Sequence, residues 1–224
     1  MDLEDAEPGF VGANATSRSA GPAVGRAESL VVVRELGLNA IERATGPSIS
    51  ADMHGEAVAV PHASESQVDL RWDARGGPFD LLLPSGVFVP SHTSQAIAAA
   101  LEIDRGATVI DVGCGCGVLS FVAARLGAGL VFGTDISKDA VATASQNALR
   151  LGLDHTTDFR TGSFFDPLER MEADVIIGDV SGVPDALADL TGWLPGGGPS
   201  GAEVPLAMLE EVHDWLRPGG CLYL

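Results

Sequence analysis

The chain has 224 residues, enough for one α/β domain of ordinary size with an extension. Hydrophobic residues make up 46%, enough to fill a sizeable core, yet no apolar run approaches the ~18–20 residues of a spanning helix. The formal net charge of −18, with 13 thinly spread basic residues, argues against a nucleic-acid partner, which needs clustered Lys and Arg to displace counterions unless another subunit supplies them.

The start, Met-Asp-Leu-Glu-Asp, lacks the basic opening of a signal peptide. Cys114, Cys116 and Cys221 give no disulfide framework. Cys114-x-Cys116 has no partner pair at ligand spacing, so no metal is expected, and its side chains read as small residues filling a turn. A reducing, cytoplasmic setting is expected, with no membrane partner.

Residues 1–25 are rich in Gly, Ala, Ser, Asp and Glu without a period, and are expected to form a disordered tail. Over 26–45, Leu30, Val33, Leu36, Ile41 and Ala44 give a helix one apolar side, and Gly46-Pro47 stops it. Glu56–Val60, Gln67–Trp72 and Phe79–Leu83 read as short strands between Pro, Gly and Ser, with Val68, Leu70 and Trp72 on one face. Residues 26–90 are thus a small β-rich lead-in that packs on the main domain or covers its site. Ser91 is placed to cap a helix whose buried side is Ile97, Ala100 and Leu101.

The main domain is organised around Val109-Ile-Asp-Val-Gly-Cys-Gly-Cys-Gly-Val-Leu-Ser120. An apolar run ends in Gly113, Gly115 and Gly117, and Leu119, Val122, Ala123 and Leu126 follow at helical spacing up to Gly127. This predicts strand, tight turn and helix, a unit whose glycines let backbone approach a ligand and whose helix start presents free N–H groups. Asp111, at the strand end, is placed to accept from an ammonium or to orient the loop. The spacing differs from the G-x-G-x-x-G dinucleotide fingerprint, which disfavours a nicotinamide-dependent dehydrogenase.

A second strand, Gly129–Asp135, ends in a carboxylate at the place (~20 residues on) where nucleotide-binding folds hold ribose hydroxyls. Ser137 is expected to cap a helix with Val141, Ala144, Ala148 and Leu151 on one side and Gly152 as its stop. In that helix Asn147 reads as a packing or capping residue. Asp158–Thr161 and Ala173–Gly178 read as the third and fourth strands. A helix over 202–216 is expected to bury Leu206, Leu209, Val212 and Leu216. Arg217-Pro-Gly-Gly220 ends that helix, and a fifth strand begins at Cys221.

Together these stretches resemble the class I S-adenosylmethionine-dependent methyltransferases, over residues 86–224. Asp111-x-Gly113-x-Gly115-x-Gly117 has the form of their first motif. The stretch Asp135-Ile-Ser-Lys-Asp-Ala-Val-Ala-Thr-Ala-Ser-Gln-Asn-Ala148 has the form of their second. Gly86–Ser94 and Gly197-Gly-Pro-Ser-Gly-Ala-Glu203 are similar to the release-factor glutamine methyltransferase group, and Arg217-Pro-Gly-Gly220 is shared more widely.

The resemblance implies a Rossmann-like, doubly wound, mainly parallel sheet with helices on both faces over 91–224, and S-adenosylmethionine as cofactor. It implies cofactor contacts from Asp111, Gly113, Cys114, Gly115, Gly117, Asp135, Ile136, Ser163 and Phe164, with His92 and Thr93 as further residues beside the site. Where those families often carry Gly-Asp, this chain has Gly162-Ser163, and Phe164 either meets adenine or enters the core. Where amino-group methyltransferases carry Asn/Asp-Pro-Pro-aromatic, it has Asp179-Val-Ser-Gly182. Asp179 keeps the acceptor atom and becomes the candidate catalytic residue, or else caps a following helix. The prolines and aromatic are gone, which weakens a glutamine substrate.

The expected reaction is methyl transfer to a nitrogen of a small molecule or protein side chain. A non-catalytic subunit acting through a partner is the alternative. The family's C-terminal antiparallel hairpin has no counterpart, so either the chain is truncated, a partner, a second copy or the N-terminal strands cover the fifth-strand edge, or the protein is degenerate.

Overall fold

The computed structural model describes residues 68–191 and 195–224. The tail over 1–25, the helix over 26–45 and the strand Glu56–Val60 lie outside the described residues. Two antiparallel strands come first, β1 (Val68–Trp72) and β2 (Phe79–Leu83), paired from Val68↔Leu83 to Trp72↔Phe79. Next come α1 (His92–Ala100), β3 (Thr108–Val112), α2 (Val118–Leu126), β4 (Leu130–Asp135), α3 (Lys138–Leu151) and β5 (Thr157–Thr161). The remainder is β6 (Ala173–Gly178), α4 (Asp185–Thr191), α5 (Glu203–Val212) and β7 (Leu216–Tyr223).

Strands β3 to β7 form one parallel sheet in the order β5-β4-β3-β6-β7. Each strand alternates its side chains between two faces. Val109, Val131, Val175 and Ile177 join a core with α1, α2, α3 and the β1–β2 hairpin, while Ile110, Val112, Ile176 and Leu222 join another with Phe165, Met208 and Val212. Both faces are therefore covered, as a parallel sheet requires. The order reverses between β4 and β6, on either side of β3. In open α/β sheets that switch point opens a crevice beyond the strand ends.

The hairpin packs on the main domain. Trp72, Phe79, Leu81 and Leu83 enter the first core, and the Arg125 guanidinium of α2 lies 4.9 Å from the Phe79 ring centre. Of the predicted alternating face, Trp72 is buried but Val68 is exposed.

Three helix and strand assignments change on inspection of the contacts. The buried stripe of α3 runs through Ala140, Thr143, Ala144, Asn147 and Ala148 rather than through Val141 and Leu151, because the Asn147 amide finds its partners inside. In α5 the buried residues are Met208 and the expected Val212, and Leu206 faces out. The Arg-Pro-Gly-Gly turn lies inside β7, where pairing jumps from Ala173↔Leu216 to Val175↔Cys221 and Arg217 pairs with Asp174. No helix among the described residues is long and apolar enough to cross a membrane.

Candidate active site

The glycine turn leaves β3 with Gly113 (φ +73°), Gly115 (φ +53°) and Gly117 (φ +90°), all left-handed. Gly117 is fixed as glycine twice over, since a Cβ there would sit 2.6 Å from the Phe121 ring. Backbone bonds hold the turn in place. The amides of Gly113 and Cys114 both donate to the Thr134 carbonyl (2.8 and 2.9 Å), and that of Gly117 donates to Cys114 (2.8 Å). Gly115 N–H donates to Asp135 Oδ2 at 2.9 Å, and Ser137 N–H to Asp135 Oδ1 at 2.9 Å. Thr134, fully buried, also donates its hydroxyl to the Phe164 carbonyl (2.6 Å). The carboxyl ends of β3, β4 and β5 are thereby tied into one rim.

At the switch point lies a small cleft that opens to solvent. Among its lining residues are Pro90, Ser94, Asp111, Gly113, Gly115 and Asp179. Cys114 and Cys116 line it too, and burial pushes the Cys114 thiol up and that of Cys116 up to about 12, so both stay protonated. Among the described residues no cluster of His, Cys, Asp or Glu fits a metal ion.

Asp111 is 1% exposed. Its Oδ2 accepts from the Ser120 hydroxyl at 2.6 Å, while Oδ1 is buried with no hydrogen-bond partner. Desolvation, opposed by Ser120 and reinforced by the neighbouring Asp179, pushes its carboxyl up to about 7. Asp179, at the end of β6, accepts from the Ser94 hydroxyl at 2.5 Å and is likewise raised by burial. It does not cap α4, which starts six positions later at Asp185.

The expected site residues thus divide into groups. Asp111, Gly113, Cys114, Gly115 and Asp179 share the cleft, and Gly117 stands at the start of α2. Asp135 joins them through Gly115. Beyond Asp135, Ile136 is 78% exposed, Ser163 is exposed, and Phe164 (φ +41°) is half-buried against the second core. His92 and Thr93 are exposed on the first turn of α1, and Ser94 occupies the place beside the site.

Sequence reasoning also passed over two partners. Thr134 is one. The other concerns Asn147, whose fully buried amide accepts from Leu82 N–H (2.7 Å) and donates to the carbonyls of Leu82 and Cys116 (3.1 Å each). It joins hairpin, helix and glycine turn. The sequence reading of Asn147 as a packing or capping residue identifies the side chain but not these distant backbone partners.

A five-stranded parallel sheet with a Gly-x-Gly-x-Gly turn and two strand-end carboxylates flanking the switch point defines a nucleotide-cofactor fold of the class I methyltransferase type. Residues 103–224, more than half of the chain, match the family described as "Methyltransferase domain", and the chain belongs to this family of class I S-adenosylmethionine-dependent methyltransferases.

Its relatives include the release factor glutamine methyltransferase of Moorella thermoacetica, 28% identical over 164 residues, covering 65% of this chain and 56% of the relative. The ribosomal protein L11 methyltransferase of Klebsiella pneumoniae is 37% identical over 165 residues, covering 63% of this chain and 56% of the relative. A solved L11 methylase from Lactobacillus delbrueckii subsp. bulgaricus is 23% identical with a TM-score of 0.46, covering 62% of this chain and 63% of that one. The chain spans about half the length of the curated relatives it matches.

Proposed function

We propose that the chain transfers a methyl group from S-adenosylmethionine to a nitrogen acceptor on a small molecule or a protein side chain, with Asp179 facing the acceptor. The observation that carries this reading is the pairing of two carboxylates on adjacent strand ends, Asp111 and Asp179, in a cleft lined, among the described residues, by no Lys, Arg or His.

The residues fit the cofactor. The buried, unpartnered oxygen of Asp111 suits an ammonium group, whose arrival would satisfy it and draw its carboxyl back toward the ionised form. Asp135 spends one lone pair of each oxygen on a backbone amide and, with about four acceptor sites in a carboxylate, retains capacity for the two ribose hydroxyls. Gly113, Cys114, Gly115 and Gly117 let the backbone come close. Exposed Ile136 and half-buried Phe164 offer apolar contact to an adenine ring, and the Ser163 hydroxyl offers a weaker acceptor than a carboxylate for its amine.

When bound, S-adenosylmethionine supplies an activated methyl carbon, so the protein's tasks are to position the nucleophile and to manage its proton. Asp179 can accept a hydrogen bond from an acceptor N–H and take a proton from an ammonium. A carboxylate without the Pro-Pro-aromatic platform suits an acceptor that need not be planar.

Protein targets are supported by the relatives named for release factors and for ribosomal protein L11, each of which this chain covers over about half its length. The five-strand core with the hairpin packed on α2 and α3 supports reading residues 91–224 as the methyltransferase unit and 26–90 as its lead-in.

Calorimetric titration with S-adenosylmethionine, S-adenosylhomocysteine and NAD tests the reading first. Micromolar binding of the first two and none of the third is expected, weakened at least tenfold by Asp135→Ala, which removes the ribose acceptor. Binding of NAD alone, or of none, would overturn it. Unchanged affinity in the variant would remove Asp135 from the ribose site.

A further inference from the structure

We propose that Ser94 is a positioning residue for Asp179: the α1 capping box fixes its hydroxyl so that its one proton goes to Asp179 Oδ2 and the second carboxylate oxygen is left for the methyl acceptor. This rests on the reading of Asp179 as the acceptor-facing group.

The geometry is directional. Ser94 is 1% exposed and stands at the third position of α1. Its Oγ accepts from Ser91 N–H at 3.1 Å, while Ser91 Oγ accepts from Thr93 N–H at 3.1 Å, closing a capping box. Such boxes usually carry Glu or Gln at this position, whose side chain serves as an acceptor. A serine hydroxyl accepts and also donates. With its acceptor side engaged by Ser91, its proton is free for the 2.5 Å bond to Asp179 Oδ2. That bond requires an acceptor oxygen at Oδ2, so it favours the ionised carboxylate against the burial that opposes it.

The other oxygen takes no bond from the described residues. It is free to receive an N–H, which makes the acceptor a hydrogen-bond donor, neutral or cationic, rather than an anion. Among the described residues, the groups that share the cleft with Asp179 are Asp111 from β3, the thiols of Cys114 and Cys116 from the glycine turn, and Ser94 from α1, with no Lys, Arg or His in the lining. Among these, Ser94 is the neighbour that stabilises charge on Asp179. It also ties α1, next to the wall formed by Pro90, to the end of β6.

The test reads the carboxylate directly, without cofactor or substrate. The full chain, labelled at aspartate carboxyl carbon, is titrated by NMR, with Asp179→Asn identifying the Asp179 resonance. Ser94→Ala is expected to move the Asp179 midpoint to higher pH, because the donor that favours the ionised form is gone. Ser94→Thr should restore it. Ser91→Ala breaks the box from the other side and should leave the midpoint where it was while lowering the melting temperature. Ser94→Cys, isosteric but a poor donor, repeats the measurement if Ser94→Ala does not fold.

With an amine that turns over, the acid limb of kcat/KM should shift in the same direction. Its value at neutral pH should then fall roughly tenfold, the worth of a hydrogen bond to a charged group, at unchanged S-adenosylmethionine affinity. An Asp179 midpoint that stays fixed in Ser94→Ala, or that moves equally in Ser91→Ala, would overturn the inference. Failure of the methyltransferase reading shows separately, as absent cofactor binding in calorimetry.

Discussion

Asp111 and Asp179 sit at the carboxyl ends of neighbouring strands, both raised by burial, yet their surroundings differ. Asp111 is closed in by the glycine turn and α2, held by Ser120, with one oxygen sealed and unpartnered. Asp179 is held by Ser94 of α1 and keeps an oxygen for the cleft. The first arrangement is a strained waiting position for a cation that fits one place. The second is an adjustable group at the open end. The β3–β4–β5 side follows the family's motifs closely, while the β6–α4 side has lost the Pro-Pro-aromatic segment. On the proposed reading, one half of the cleft serves a fixed cofactor and the other a variable acceptor.

The sharpest way to break this division is to remove each carboxylate and ask which property falls. Asp179→Ala should lower turnover about 1,000-fold, in the range for losing a positioned proton acceptor, and change S-adenosylmethionine affinity by less than about threefold. Paired titration calorimetry and single-turnover methyl transfer measure both. Full retained turnover would take Asp179 out of the reaction.

Asp111→Asn should do the reverse, weakening cofactor binding about 100-fold, since it removes the charge that meets the ammonium. It should also raise the stability of the free protein. An acid whose folded value lies at about 7 against an ordinary 3.8 binds more protons in the native state across that window. Stability therefore falls as pH rises from about 4 to about 7, and the ionised form carries its full cost above 7. The variant, which cannot ionise, should be more stable than the parent at pH 8, by an amount on the order of 4 kcal/mol, and converge with it below about pH 4. Melting curves that superimpose at pH 8 would show that Asp111 is not strained.

The two hairpin ties extend the comparison from charge to burial. Asn147→Ala removes three hydrogen bonds and strands the Leu82 amide and the Cys116 carbonyl away from water. A loss of about 3 kcal/mol in urea denaturation is expected. The glycine turn should also loosen, with a few-fold loss of cofactor affinity. A change under about 1 kcal/mol would mean that the hairpin is held by Trp72, Phe79 and Leu81 alone.

The same contrast explains what the amino-acid order reveals. The glycine turn, Asp111 and Asp135 were legible because their chemistry is local: a strand end, a turn and a helix start within a dozen residues, then a second strand end. The caps Ser91, Ser137 and Gly152 were legible for the same reason. Ser94 was passed over for His92 and Thr93 because its partner Asp179 lies 85 residues away, and Asn147 reaches Leu82 across 65. Composition and periodicity carry no information on which distant backbone groups a buried side chain will satisfy. The stripe of α3 shifted for that reason, since an apolar count cannot anticipate a buried amide with three partners.

The second hairpin tie, Arg150 to Asp69 at 3.3 Å, joins the same two elements at the surface, with side chains 40% and 68% exposed. Water screens the pair, and ordering two long side chains offsets much of the attraction. Arg150→Ala should cost less than about 0.5 kcal/mol, and the small difference should vanish in 1 M salt. Urea denaturation of Arg150→Ala, Asn147→Ala and the double variant completes a cycle. The two groups share no partner, so the effects should add within about 0.5 kcal/mol. A larger loss from Arg150→Ala alone, or strong coupling to Asn147, would mean that charge orients the hairpin before the buried amide locks it, and docking would then weaken with salt. Independence would leave Asn147 as the tie through which the hairpin bears on the glycine turn.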